Sequence, residues 1–408
     1  MGVPLRKNVQ FQLLWAGGAV SQLGTTITTL AMPLLVVALT GSYLLPGVIA
    51  GARAAALLLT LMPAGVWVDR WDRRRTLVWS QSVQALAAAL LAVAILTGHT
   101  YLYVFIALAV VDGVCTAFAS PARASAIQAV VPAEQLTTAF AQEEARGHAA
   151  RVAGPPLGAL LMVAGRSVPF VVDALSYAVA AACAWFAKIP ERAEKPRQRM
   201  RHDLKDAGRW LWRQTGLRNL TIVFLVLNLL GGASMLPVFA LVAERGGSSL
   251  DTGVVFAGIG VGGVLGSLLA PKVTLAPGPL MVAVLAVFGV CTLAMALPFG
   301  VFWPFVPLAV TAVVTPLINV SVSAVQSLLV PPDMMGRLDA VSTLAARVLT
   351  PVSPALGGFL AGTVGGGVAL LAFGALILVT ALVAAFTDLS TSVQRKPSLG
   401  DREDRGVH

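Results

Sequence analysis

The 408-residue chain is 57% hydrophobic and only 12% charged, with 39 Gly, 24 Pro and a formal net charge of +10. Soluble domains carry about a quarter charged residues, so this chain cannot cover a water-facing surface of its size, and the composition excludes a soluble globular protein. The cation excess therefore reads as a membrane-orientation signal rather than a nucleic-acid surface. The apolar stretches are continuous and about 20 residues long, the length of a helix across a bilayer and not the short alternating strands of a barrel.

Taken in order, twelve helices are predicted: 11–38, 44–67, 76–97, 101–122, 137–164 and 168–187, then 219–242, 252–272, 279–298, 302–328, 338–362 and 367–387. The first apolar stretch is too long for a cleavable signal core, so it is a retained helix, and Arg6 breaks the N-myristoylation pattern. Of the 29 Lys and Arg, 23 fall at the chain ends or near the connections after the even-numbered helices, against Arg166 and Arg245 alone on the other side. That bias places both termini in the cytoplasm, as a multi-pass protein of the cell (inner, cytoplasmic) membrane. Cys115, Cys183 and Cys291 lie far apart in apolar runs with no CxxC spacing, which argues against a disulfide framework or a metal site.

The hydrophilic stretch 188–218 divides the chain into an N-terminal six-helix half (1–187), a cytoplasmic basic linker, a C-terminal six-helix half (219–387) and a cytoplasmic tail (388–408). Leu204, Trp210 and Leu211 among the linker charges predict a short amphipathic helix on the inner leaflet. The halves repeat each other: Val131-Pro132-Ala133-Glu134 recurs as Val330-Pro331-Pro332-Asp333, 199 residues later. Pro155-Pro156-Leu157-Gly158 recurs loosely as Pro354-Ala355-Leu356-Gly357. Each half starts on the same side, so the repeat is parallel, the organisation of an alternating-access transporter.

The segment 65–75 reads GVWVDRWDRRR. Its Gly65, Asp69, Arg70, Arg73 and Arg74 follow the spacing G-x-x-x-D-R-x-G-R-[RK], with Asp72 in place of the second glycine; this resembles the loop 2–3 signature of the major facilitator superfamily. Asp112-Gly113, Ser120-Pro121-Ala122-Arg123, Val131 to Leu136 and Asp173-Ala174-Leu175-Ser176-Tyr177 resemble the branch holding the enterobactin exporters and macrolide efflux proteins. Gly147 and Gly154-Pro155-Pro156-Leu157-Gly158 on helix 5 are similar to the G-P-x-x-G core of drug/proton antiporters. There prolines kink the helix and glycines let it pack closely.

The resemblance implies an all-α polytopic membrane protein, with twelve transmembrane helices in two parallel six-helix halves. It implies secondary active export of a small amphipathic molecule (a drug, siderophore or secondary metabolite) by proton antiport with alternating access. No cofactor is implied, the proton gradient being the energy source. The partners are a small-molecule substrate and the lipid bilayer, with no nucleic acid, and the monomer is the functional unit. It also implies that Asp69 anchors against the start of helix 11 at Arg337 and Asp339, forming a gating latch with 65–74.

Ionisable residues inside a membrane are costly and are functional candidates by default. Asp112, near mid-span, is the first candidate for the coupling proton, weighed equally against a fixed ion pair with Arg53 or Arg151. Asp173, nearer the outer end of helix 6, is the second candidate and reads first as structural. Glu143, Glu144, Arg146 and His148 form part of a cytoplasmic gate, with the i, i+3 spacing of Glu143 and Arg146 permitting a local pair. Candidate cavity-lining groups are Gln22, Arg53, Arg151, Asn228, Asn319, Gln326 and Arg347, with Trp15, Phe239 and Phe305 adding apolar contact. Three deep arginines against two aspartates tolerate an anionic or zwitterionic cargo. No Walker A loop, HExxH or GxSxG supports ATP hydrolysis or an enzyme. The alternatives are an importer or symporter of a small metabolite, and a non-transporting sensor or assembly factor on the same fold.

Overall fold

The structure, a computed structural model, describes residues 4–68, 71–190, 208–270, 277–329 and 335–386; side chains at 62, 66, 277–278, 318–329 and 335–340 also lie outside the description. Long apolar runs with few breakers become α1 (Val9–Thr40), α2 (Leu44–Val68), α3 (Arg73–Leu96), α4 (Leu102–Val130), α5 (Leu136–Ala164) and α6 (Val168–Phe186). The second half holds α7 (Thr215–Ala233), α8 (Met235–Glu244), α9 (Ser249–Leu269), α10 (Pro277–Met295) and α11 (Phe305–Leu329). It closes with α12 (Met335–Arg347), α13 (Ser353–Val364) and α14 (Gly366–Phe386). Among the described residues every regular element is helical.

Two predicted helices are broken. Span 7 splits at Ser234 into α7 and α8, where Pro237 cannot donate to the residue four before it. Span 11 splits into α12 and α13 at the turn holding Pro351. Helix α4 is longer than expected, ending at Val130 and not 122. Arg123 ends the apolar run there, but Ala122, Ala126 and Ile127 continue a buried face into the core shared with Phe11 and Leu77.

Eight spans among the described residues are long and apolar enough to cross a membrane, with shorter apolar helices at Pro279–Met295 and Phe305–Leu317. The charged α5 and the divided α12–α13 complete the two parallel six-helix halves. Local chemistry sets the ends: Asn8 accepts from the Phe11 N–H to start α1, and Ser248 and Asp251 form a capping box on α9. Asp72, the departure from the signature glycine, caps α3 by accepting from the N–H groups of Arg74 and Arg75.

The face carrying the start of α1 and the end of α14 is the terminal face, and the opposite one the distal face. At the distal face the halves pack together. Leu30 of α1 joins Leu236, Val238 and Phe239 of α8 in one buried cluster, with Tyr43 against it. Glycine permits the backbone contacts there: a Cβ at Gly47 or Gly51 of α2 would collide with the carbonyls of Pro354 and Pro351. One at Gly358 of α13 would collide with the Tyr43 carbonyl. Helix α5 also runs along α9, joining the halves.

Candidate functional site

Inside the first half, α1, α2, α3, α4 and α6 enclose a cavity of about 200 Å³ with a polar floor and apolar walls that include Ile49, Leu91, Leu108 and Phe170. Asp112 stands on α4 ten residues from its distal end, about 15 Å along, half the depth of a ~30 Å hydrocarbon core. Its Oδ2 accepts from Arg53 Nε at 2.5 Å, so the two charges form an ion pair. Its Oδ1 accepts from Gln84 Nε2 at 2.8 Å and from the Tyr177 hydroxyl at 3.1 Å. Of the alternatives weighed for Asp112, the Arg53 pair is therefore present.

Asp173 on α6 is 5% exposed and has no cation within ion-pair distance among the described residues. Hydroxyls hold it instead: Thr28 Oγ1 donates to Oδ2 at 2.5 Å and Ser176 Oγ to Oδ1 at 3.3 Å. Thr25, nearly one turn before Thr28 on α1, lies 2.9 Å from the Tyr177 hydroxyl. Hydroxyls from two helices thus lie between the two carboxylates. A glycine makes room, because a Cβ at Gly24 would overlap the Asp173 and Ser176 side chains. Gln84, Thr25 and Thr28 were not among the sequence candidates. The threonines of α1 (Thr25, Thr26, Thr28, Thr29) were a visible polar run in an otherwise apolar helix.

A second polar region lies between the halves. On α5, Gly154 and Gly158 meet Thr26 and Ile27 of α1, while Pro155 and Ala159 meet Gly253 of α9. Toward the terminal face, His148 Nε2 lies 2.9 Å from the Ser267 hydroxyl of α9 and 3.1 Å from Glu144. Arg151 pairs with Glu144 at 3.3 Å, their side chains 42% and 69% exposed. Exposed charges at this position on a spanning helix require water beside them, and the α5 face carrying them lies between its α1 and α9 contacts. Glu143 pairs with Arg146 at 2.7 Å, and Arg146 donates to the Trp15 carbonyl while Arg123 donates to that of Leu14. A Cβ at Gly18 would overlap both guanidiniums, so they crowd one point on α1.

The other candidates are scattered. Asn228 donates to the Phe224 carbonyl of its own helix. Gln22 is half-buried on α1, Gly147 faces the Arg151 guanidinium, and Arg347 is exposed at the end of α12. Phe239 packs at a tilt against Phe256 in the distal cluster, and Phe305 packs over Gly258 of α9. Gly65 has open space around it. Arg74 donates to the Trp185 carbonyl and lies over its ring, 5.2 Å from the centroid. Asp69, Arg70 and the side chains of Arg337, Asp339, Asn319 and Gln326 lie outside the described residues, and so does most of the expected latch.

At the distal seam, Glu244 accepts from the Gly366 N–H at 2.6 Å, capping α14, and Arg245 donates to the carbonyls of Met295, Leu297 and Gly300. Burial first, and then the Glu244 charge, pushes the Tyr43 phenol up from its ordinary value.

A model of the Major Facilitator Superfamily matches residues 14–350. The chain is 25% identical over 415 residues to "Enterobactin exporter EntS" of Shigella flexneri, covering 97% of this chain and 96% of that protein. It is 24% identical over 195 residues to "Macrolide efflux protein A" of Streptococcus pyogenes, a match covering 46% of each, about half the length of that relative. Among solved structures it resembles the POT family transporter PepTSo, with a TM-score of 0.75 and 12% identity over 95% of this chain and 99% of that one. A bacterial homologue of the iron transporter ferroportin in its inward-facing state gives a TM-score of 0.72 at 16% identity, over 97% and 100%. At these identities the structural matches speak to fold alone.

Proposed function

Because the chain belongs to the major facilitator superfamily, a family of transporters and not enzymes, we propose that it exports a small amphipathic molecule in exchange for protons. Support for export comes from the two relatives whose names describe efflux and export. The termini lie in the cytoplasm of this reading, in the cell membrane, so the packed distal seam closes the outside and the space between the halves opens inward.

The observation that carries the proton reading is the carboxylate pair in the first half. Asp112 is already paired with Arg53, whereas Asp173 is buried among hydroxyls with no cation within ion-pair distance among the described residues. A buried, unbalanced carboxylate gains most from a proton. Asp173 is therefore the proton carrier in this account, and the Arg53–Asp112 pair is the element that responds to it through Tyr177, Thr25 and Thr28. When Asp173 is neutral, the region loses a negative charge and Arg53 holds Asp112 alone; when it is ionised, two carboxylates compete for one guanidinium. That difference biases the packing of α1, α4 and α6, and through α1 the contact with α5 at Gly154 and Gly158.

A sensitive host expressing the chain, challenged with antibiotics and siderophores, identifies the cargo by reduced accumulation. Increased accumulation would favour an importer instead. Vesicles loaded with an identified cargo and given a pH gradient then test coupling; absence of gradient-driven flux would leave the sensor reading standing.

A further inference from the structure

Arg347 lies twelve residues along α12, about 18 Å from the terminal end of that helix at 1.5 Å per residue. Its side chain is exposed, and no carboxylate stands within ion-pair distance of it among the described residues. The C-terminal dipole of α12 favours a cation there, which helps to place the charge without neutralising it. At that depth an exposed guanidinium is tolerated only against water. On that ground the charge is assigned to the water-filled space between the halves.

The groups across that space do not balance it. Glu144 is engaged by Arg151 and His148, and Glu143 by Arg146, with Arg123 crowded beside it at Gly18. Among the described residues of this region, Arg123, Arg146, Arg151 and Arg347 therefore share two carboxylates, Glu143 and Glu144. In the second half Glu244 caps α14 and Asp251 caps α9, both at the distal end. Asp339, whose side chain lies outside the description, is eight residues before Arg347 on α12. In the outer cavity the balance is reversed, one arginine against two aspartates.

We propose that the cargo is an amphipathic carboxylate and that Arg347 receives its anionic group. The proposal rests on the export reading and adds the charge of the cargo. An anion leaving while a proton enters moves charge in one electrical sense. A membrane potential alone, without a pH difference, therefore drives the exchange.

The test is calorimetric titration of the full chain in nanodiscs with salicylate, its neutral analogue salicylamide, and inorganic phosphate. Salicylate binds more tightly than salicylamide. Arg347→Gln weakens salicylate by about 10- to 100-fold, the worth of a charge-assisted hydrogen bond, and leaves salicylamide unchanged. Arg347→Lys, which keeps the charge, retains most of the affinity. Equal affinity for the two aryl compounds, no salicylate binding, or an Arg347→Gln protein that binds salicylate normally overturns the proposal. Phosphate competing as well as salicylate overturns it too, by assigning Arg347 to a small resident ion. In each of these cases export of a neutral compound driven by a pH gradient can still be measured in vesicles, and only its loss counts against the export reading.

Discussion

Arg53→Met would leave Asp112 without its cation while keeping most of the side-chain volume. Removing one partner of a buried ion pair costs roughly 3–5 kcal/mol. The Arg53 and Asp112 side chains are 36% and 20% exposed, so water screens part of that charge and about 1–3 kcal/mol is expected. Gln84 and Tyr177 would still donate to Asp112, which limits the loss further. The assay is a double-mutant cycle by detergent-titrated unfolding in mixed micelles, with Arg53→Met, Asp112→Asn and both together. The double variant should lose less than the sum of the singles, because a neutral asparagine amide on α4 needs no cation, and the coupling should be about 1–2 kcal/mol. Additive losses would refute the pair as an energetic unit and with it the element that answers to Asp173.

Gly260→Ala should abolish transport, because its Cβ would strike the backbone of α5 at Val152 and force the two halves apart, at about 1–3 kcal/mol of stability. Gly362→Ala, with open space around it, serves as the silent control in the same flux assay. Asp72→Ala should cost about 1 kcal/mol by uncapping α3, measured by unfolding, and Asp72→Asn should recover most of it. The Tyr43 phenol, raised by burial and Glu244, should ionise later than a free phenol. Folding then favours its neutral form, so its contribution is intact below the ordinary value of 10.0 and is lost as pH climbs through the raised value. Phenolate absorbance of the wild type minus that of Tyr43→Phe reads this directly, and a Tyr43 ionising at its ordinary value would contradict the packed distal seam.

Much of the fold was legible because a bilayer imposes a length and polarity on each span. Runs such as 168–187 announced α6 to within a residue. The extension of α4 past Arg123 was hidden because the arginine interrupts the apolar run while Ala126 and Ile127 continue its buried face. The breaks at Ser234 and after Arg347 depend on how Pro237 and Pro351 sit against neighbouring helices, which spacing does not encode. Within the site, the buried charges were visible as charges, but their partners were not. Nothing along the chain pairs Arg53 with Asp112 rather than Arg151, or puts Thr28 on Asp173. These contacts join helices far apart in sequence. The two glycine rows of α9 were likewise readable only as composition. In the structure Gly253, Gly260 and Gly263 receive α5, and Gly258, Gly262 and Gly266 receive α11.

The central claim is that Asp173 carries the coupled proton while Asp112 stays paired with Arg53. Vesicles holding the Asp173→Asn chain test it when two fluxes of one cargo are compared: accumulation driven by a pH gradient, and downhill exchange of labelled for unlabelled cargo at equal pH. The account predicts that Asp173→Asn loses the first and keeps the second. Gradient-driven accumulation at the wild-type rate in Asp173→Asn would contradict it.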